Sequence, residues 1–281
     1  MTLRVLIHNV GHGQSIHAFT PAGETIVIDL GCSRSFSPLE WLRDQTNTID
    51  LLIITHPHGD HIDEILNLRS LGFIVRQLWR PKWLPKVEVY KQNQASYTVK
   101  LDRYFEISDS YNVPIRDGEM VGDPAVSGGV SVDKFASSTC AVTNINNHSG
   151  VVIFSYSGSK VIIPGDNEPA SWVTLKQKTD FRSAVQNGDI FMASHHGRQS
   201  GYQSELFNLF KPSLCVISDG RVQDTDATNR YSYHATGWTV HRIDGGESKE
   251  RLCLTTRTDG YVDIRMGKDA DGRNFLSVQI Q

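Results

Sequence analysis

The chain has 281 residues, 39% of them apolar, and a formal net charge of -3. That length and apolar content support a packed globular fold and exclude a disordered chain, while the small negative charge excludes a strongly basic nucleic-acid binder. No apolar run approaches the ~18 residues of a membrane-spanning helix, the N-terminal MTLRVLIHNVG lacks a signal peptide's apolar core, and Cys32, Cys140, Cys215 and Cys253 form no C-x-x-C pair, so the expected setting is the cytoplasm with reduced thiols and no membrane.

In chain order, short runs rich in Val and Ile and bounded by Gly, Asp or Ser predict strands. They are LRVLIHNV, TIVIDLG, DLLIITH, GVVIFSYSG, KVIIPGD, GDIFMASH, PSLCVISDG, LCLTTRTDG and YVDIRM. Helical patterns fall between them. SPLEWLRDQ has Ser37 as N-cap, Pro38 at the first helical position and Glu40 three residues after the cap. DHIDEILNLRSLG places Ile62, Ile65, Leu66 and Leu68 on one helical face and stops at Gly72, and GYQSELFNLFKP stops at Pro212. Strands near both ends with helices between them predict an α/β fold with two sheets face to face and helices outside, as one domain over residues 1–281. Residues 69–104 read as an insertion, with eight Lys or Arg interleaved with Phe73, Trp79, Trp83, Tyr90, Tyr97 and Tyr104.

The unusual feature is an excess of histidine, 11 in all, with His56, His58 and His61 packed around Asp60 directly after DLLIIT. Imidazoles two residues apart can turn toward one ion, while the neighbouring Asp60 and His61 face a second; Gly59 permits the sharp turn between them. Imidazole and carboxylate suit zinc, manganese or iron, and no thiolate is at hand to narrow the choice. Two ions about 3.5–4 Å apart need further ligands and a shared one. Candidates stand at later strand ends: His148, Asp166, and His195 or His196.

His-x-His-x-Asp-His, then a histidine, then Gly-Asp after a strand, then a final histidine resembles the signature of the metallo-β-lactamase superfamily. More narrowly, NVGHGQSIHAF, IVIDLG, NNHSGVVIF, VIIPGD, ASHHG, CVISDG and LTTRTDGYVDIRM follow the order of motifs in the soluble hydrolase domain of the DNA-uptake channel protein ComEC and its free-standing relatives. The resemblance implies an αββα four-layer sandwich of two mixed β-sheets with outer helices. It implies two divalent metal ions, zinc or manganese: one held by His56, His58 and His148, the other by Asp60, His61 and His195, with Asp166 bridging. Asp29 matches a carboxylate that orients the metal loops. The sequence departs from the family at Asn9 and Gln14, where acids are usual, and at His148, where the family often has no histidine.

Two such ions lower the pKa of a bridging water and yield hydroxide near neutral pH, so no nucleophilic side chain is required, and no Gly-x-Ser-x-Gly motif offers one. In the tail SDGRVQDTDATNRYSYHATGW, His234 is the expected proton donor or phosphate holder and Ser218 a second donor. His196, Arg80 and Lys82 are the expected substrate contacts. The family likeness and the basic, aromatic segment favour a nuclease or phosphodiesterase acting on DNA, single strands in particular, with a protein partner from a DNA-processing or defence system. Hydrolysis of a small phosphoester or other ester is the alternative. A non-catalytic subunit that keeps metal for stability is the third.

Overall fold

The computed structural model describes residues 1–220 and 227–281; the RVQDTD stretch of the tail segment, 221–226, lies outside the described residues. A meander opens the first sheet: β1 (Thr2–Ile7), β2 (Ile16–Phe19) and β3 (Thr25–Ile28) pair antiparallel. β4 (Thr48–Ile53) and β5 (Ile74–Trp79) then add in parallel beyond β3. The second sheet starts with antiparallel β6 (Ser131–Phe135), β7 (Val151–Tyr156) and β8 (Ser159–Ile163). It continues in parallel through β9 (Ile190–Met192), β10 (Leu214–Ile217) and β13 (Cys253–Thr255). The chain returns to the first sheet with β11 (Trp238–Arg242), β12 (Lys249–Arg251), β14 (Val262–Lys268) and β15 (Asn274–Ile280), β14 pairing antiparallel with β1. The orders among the described residues are β12-β11-β15-β14-β1-β2-β3-β4-β5 and β13-β10-β9-β8-β7-β6. Both sheets are mixed.

Period-two side-chain alternation explains why the strands read as unbroken apolar runs: each is buried on both faces. Leu51 and Ile53 of β4 and Val152 and Phe154 of β7 face each other's sheet in one shared core. Their neighbours point outward. Leu52 and Ile54 meet Leu39 and Leu42 of helix α1 (Pro38–Arg43) and residues of α4 (Thr98–Ser110), which follows α2 (Asn67–Ser70) and α3 (Lys86–Lys91). Val151 and Ile153 meet Trp172 and Leu175 of α5 (Pro169–Gln177) and Phe181 of α6 (Thr179–Val185); Tyr231 of α7 (Ala227–Ser232) closes the same cluster. Helix, sheet, sheet, helix: the four layers are the expected ones. The short α8 (Thr256–Asp259) follows β13.

The α1 start is built as the sequence predicts, with Ser37 Oγ accepting from Glu40 N at 3.0 Å and Pro38 in the first turn. The helix expected from Asp60 onward is not. Residues Gly59–His61 form a 3-10 turn and only Asn67–Ser70 are α-helical. The cause is competition for backbone groups: Glu64 N donates to Leu30 O (2.8 Å) and Leu30 N donates to His61 O (2.8 Å), so the loop pairs with the end of β3 instead of coiling on itself. Likewise GYQSELFNLFKP supplies a 3-10 turn over Ser204–Asn208 and no longer helix. Of the basic segment 69–104, residues Ile74–Trp79 are edge strand β5 and the rest is helical cover.

Two of the histidines serve packing. His8 Nε2 and His17 Nδ1 lie 3.0 Å apart, with Trp41 against both rings. Burial, helped by Arg4, pushes His8 down to about 3. Between that value and its ordinary 6.5 the unfolded chain binds the extra proton, so stability falls as pH drops through this window and is fully present above it. The expected slope for this one proton is about 1.4 kcal/mol per pH unit at most. Urea midpoints measured from pH 7 to 4 should show a shallower acid decline in His8→Gln than in wild type.

Candidate metal centre

The site gathers at the carboxyl ends of parallel strands, where crevices in α/β sheets form. Asp29 follows β3, Thr55 and His56 follow β4, Asp166 follows β8, His195 and His196 follow β9, and Ser218 follows β10. Gly150 N donates to Thr55 O (2.8 Å), which ties the two sheets together beside the cluster. The Gly59–His61 turn needs a residue without a side chain at its start: a Cβ on Gly59 would sit 2.3 Å from the Tyr97 ring.

Three histidines have Nδ1 occupied, which aims Nε2 at a common centre. His61 Nδ1–H donates to Asp29 Oδ2 at 2.7 Å. His196 Nδ1–H donates to Ser218 O at 3.0 Å. His56 Nδ1 lies 3.3 Å from Thr55 Oγ1. Their Nε2 atoms then converge: His61 Nε2 is 3.3 Å from His196 Nε2 and 3.2 Å from Asp166 Oδ1, and His196 Nε2 is 3.3 Å from Asp60 Oδ2 and 3.5 Å from Asp166 Oδ2. His58 Nδ1 faces His56 Nε2 at 3.0 Å. Two groups of donors, His56–His61–Asp166 and His12–Asp60–His196, each lie within 4.8 Å.

The electrostatics follow from burial and these neighbours. Burial alone would lower His196, but Asp166 and Asp60 overcome it and lift it to about 9. Burial likewise opposes protonation of His61, and the surrounding carboxylates of Asp166, Asp29 and Asp60 raise it well above the ordinary value. Asp166 and Asp60, despite burial, are held well down by His61 and His196. His56 and His58, deeper among other imidazoles, are lowered mainly by burial.

This donor set fits divalent cations. Buried Asp166 Oδ1 has no hydrogen-bond partner among the described residues. Ring nitrogens 3.0–3.3 Å apart face one another, and a cation between lone pairs satisfies that arrangement where a single proton serves only one of them. Imidazole with carboxylate and no thiolate matches zinc, manganese or iron chemistry.

The structure rearranges several expected residues. His196, not His195, converges with Asp60, His61 and Asp166; both residues adopt left-handed backbone (φ 50° and 54°), and the turn sends the first ring to the rim, where His195 Nδ1 meets Glu168 Oε1 at 3.2 Å. His148 is not brought into either donor group. Its Nδ1 lies 3.0 Å from Trp83 Nε1 and 2.8 Å from Ser137 O, because residues Ile145–His148 form a 3-10 turn that sends Asn146, not His148, to the cleft wall. His234 stacks on Phe207 with ring centroids 3.9 Å apart and bonds Tyr202 Oη, away from the cluster. Ser218 is buried; its hydroxyl donates to Gly13 O (2.8 Å) and only its carbonyl serves the site, by holding His196. Arg80 is spent on Ser108 and the Tyr111 carbonyl, and Lys82 is not among the residues lining the cleft.

Residues overlooked in the sequence are His12, Asn146, Glu168 and Arg198, all at the cluster or its rim. Each sits within a few residues of a recognised motif: His12 inside NVGHGQS, Glu168 two after Asp166, Arg198 just past the His195–His196 pair. Gln14, standing where an acid is usual, donates from Nε2 to Asp29 Oδ2 at 2.8 Å, a contact a carboxylate could make only if protonated.

A four-layer αββα sandwich with histidine and aspartate donors at its strand ends defines a class of metal-binding enzymes that are mostly hydrolases. Residues 11–213 match the family model of the metallo-beta-lactamase superfamily, and the chain belongs to that superfamily. No curated protein sequence matches it. Among solved structures, CmlA β-hydroxylase of Streptomyces venezuelae is similar with a TM-score of 0.53 and 15% identity, over 93% of this chain and 54% of that one. Zn(2+)-bound PqqB from Methylobacterium extorquens gives a TM-score of 0.42 at 9% identity, over 77% and 89% of the two chains. A long-form RNase Z from yeast gives 0.38 at 9%, over 79% and 38%. These likenesses concern the fold alone.

Asp29 orients the site without facing the cations, so Asp29→Asn should lower divalent-metal affinity about 10–100-fold. Competition with a chromogenic chelator measures it.

Proposed function

We propose that the protein is a metal-dependent phosphodiesterase that cleaves DNA, akin to the soluble domain of the ComEC channel, with two zinc or manganese ions as cofactors. His56, His58, Asp60, His61, Asp166 and His196 would hold the cations. Bound there, they supply Lewis acidity toward an ester oxygen and a water acidified to near neutral pH.

The observation that carries this reading is Arg198. Its guanidinium stands at the cleft rim, with Nη1 3.4 Å from His195 Nε2 and Nη2 3.4 Å from His12 Nε2, and among the described residues no carboxylate pairs with it. A planar cation beside a metal cluster is suited to the non-bridging oxygens of a phosphodiester. His195 is the group to move a proton to the leaving oxygen. Glu168, itself held by Asn144 and Asn146, fixes Nδ1–H and leaves Nε2 open to the cleft. The Glu168 carboxylate is lowered from its ordinary value because these donors outweigh its burial. The cytoplasmic setting and a partner from a DNA-processing or defence system remain part of the same proposal.

A small phosphoester is the second reading. It is favoured by the cleft's size, about 370 Å³, near the low end of small-ligand pockets.

End-labelled single- and double-stranded DNA, incubated with manganese, zinc or magnesium at low and high salt, separates the two. Cleavage that needs metal, vanishes in Asp60→Asn and weakens steeply with salt supports the nuclease. Arg198→Ala should lower kcat/KM about 10–100-fold, the worth of one charge-assisted hydrogen bond. Inert DNA alongside salt-indifferent hydrolysis of a small phosphodiester would favour the second reading.

A further inference from the structure

We propose that His12, on the loop between β1 and β2, is a metal ligand that completes the donor set of the second cation with Asp60 and His196. His12 Nε2 lies 3.3 Å from Asp60 Oδ2, the same oxygen that His196 Nε2 approaches at 3.3 Å. The His12 and His196 rings face each other with centroids 4.8 Å apart. Three protein donors around one point, with room left for water, is the count a catalytic zinc site uses. Without His12 the second group falls to Asp60 and His196, since the other nearby donors already belong to the His56–His61–Asp166 group.

The loop that carries His12 is clamped to both of its partners. Gln14 N donates to Asp60 O (3.4 Å), and a Cβ on Gly13, whose φ is +132°, would come within 2.6 Å of that oxygen. On the other side, Ser218 Oγ donates to Gly13 O, and the Ser218 carbonyl is what holds His196. A Cβ on Gly220 would lie 2.7 Å from His12 N. His12, Asp60 and His196 are thus positioned by one interlocked set of backbone contacts, which is the preorganisation a metal site requires. The crowding at Nε2 points the same way. One nitrogen cannot donate to Asp60 and accept from Arg198 Nη2, 3.4 Å away, at once, whereas a lone pair turned to a cation is compatible with Asp60 on the same ion.

The inference requires that the chain binds divalent cations and is indifferent to which ester it cleaves. Chelator-stripped full-length protein is titrated with Zn²⁺ by calorimetry and with Co²⁺ by visible absorption, for wild type, His12→Gln and His12→Ala. Wild type should take two cations. Both variants should keep one at wild-type affinity, bind the other at least about 10-fold more weakly, and show an altered cobalt spectrum. Unchanged affinities and spectra overturn the proposal and leave His12 a hydrogen-bond partner of Asp60. A wild type that binds no cation overturns the metal reading as a whole. A measurement on the unaltered chain guards against a misfolded variant: diethyl pyrocarbonate labelling mapped by mass spectrometry should find His12 shielded by Zn²⁺, and labelling that ignores the metal counts against it.

Discussion

The Asp29 carboxylate is the contact on which the site depends. It is fully buried at the end of β3 and receives four hydrogen bonds: Thr55 N on Oδ1 at 2.7 Å, and Gln14 Nε2, Thr55 Oγ1 and His61 Nδ1 on Oδ2 at 2.7–2.8 Å. Those donors come from the β1–β2 loop, the end of β4 and the metal turn. One side chain therefore locks three segments that are far apart in sequence. Burial pushes the Asp29 carboxyl up against the pull of all four donors. Losing any donor would leave a buried charge short of a partner, which costs far more than the net worth of the bond itself. The left-handed backbone at Asp29 (φ 58°) is a strained conformation for a residue with a side chain, and this network is what holds it.

From that lock the orientation of the imidazoles follows. Fixing His61 by Nδ1 leaves Nε2 for the cluster, and the same rule reaches His196 through the Ser218 carbonyl and His56 through the Thr55 hydroxyl. Thr55 bears on two histidines at once because its hydroxyl donates to Asp29 and lies near both His56 and His61 Nδ1. The cross-sheet bond from Gly150 to Thr55 carries the constraint to the second sheet, and His195 N donating to Gly165 O (3.1 Å) carries it to the strand ends that supply Asp166 and His196. Site and sandwich are thus a single construction: the shared core sets how far apart the sheets stand, and the loops bridge that gap with polar groups alone.

The parts of this legible in the sequence are those with a local cause. Strands buried on both faces announce themselves as Val- and Ile-rich runs, which is why β1, β3, β4, β7, β8, β9, β10, β13 and β14 can be read directly. The edge elements β5, β6, β12 and β15 carry mixed polarity and cannot. The dense His56–His61 turn is legible for the same local reason. The remaining ligands are not, because their selection is tertiary. Nothing within NNHSG says that a 3-10 turn will present Asn146 and hide His148 against Trp83, and nothing in SHHG says which histidine a left-handed turn will send inward. His12 is visible only once Gly13 is seen against the Asp60 carbonyl.

Composition misleads most where charges are counted without their partners. The segment 69–104 is basic by count, yet Arg76 pairs with Asp50, Lys86 with Asp109, Lys91 with Glu88, Lys100 with Asp63 and Arg103 with Glu106. Its aromatic residues are likewise engaged: Tyr104 is core, Trp79 packs against the shared core, and Tyr90 and Tyr97 pack beneath the helices. A cation already paired, even at the surface, attracts a phosphate less than a lone one, since its field is partly cancelled within a few ångströms. The lone Arg198 beside the metal cluster therefore outweighs the five paired cations as a point of recognition for an anionic ester. It also lies where the reacting bond would be, and the basic segment's charges do not line that cleft, Lys82 and Arg80 included. Recognition and chemistry would then share one patch of surface: the phosphate selected by Arg198 is the phosphate presented to the histidines and aspartates behind it.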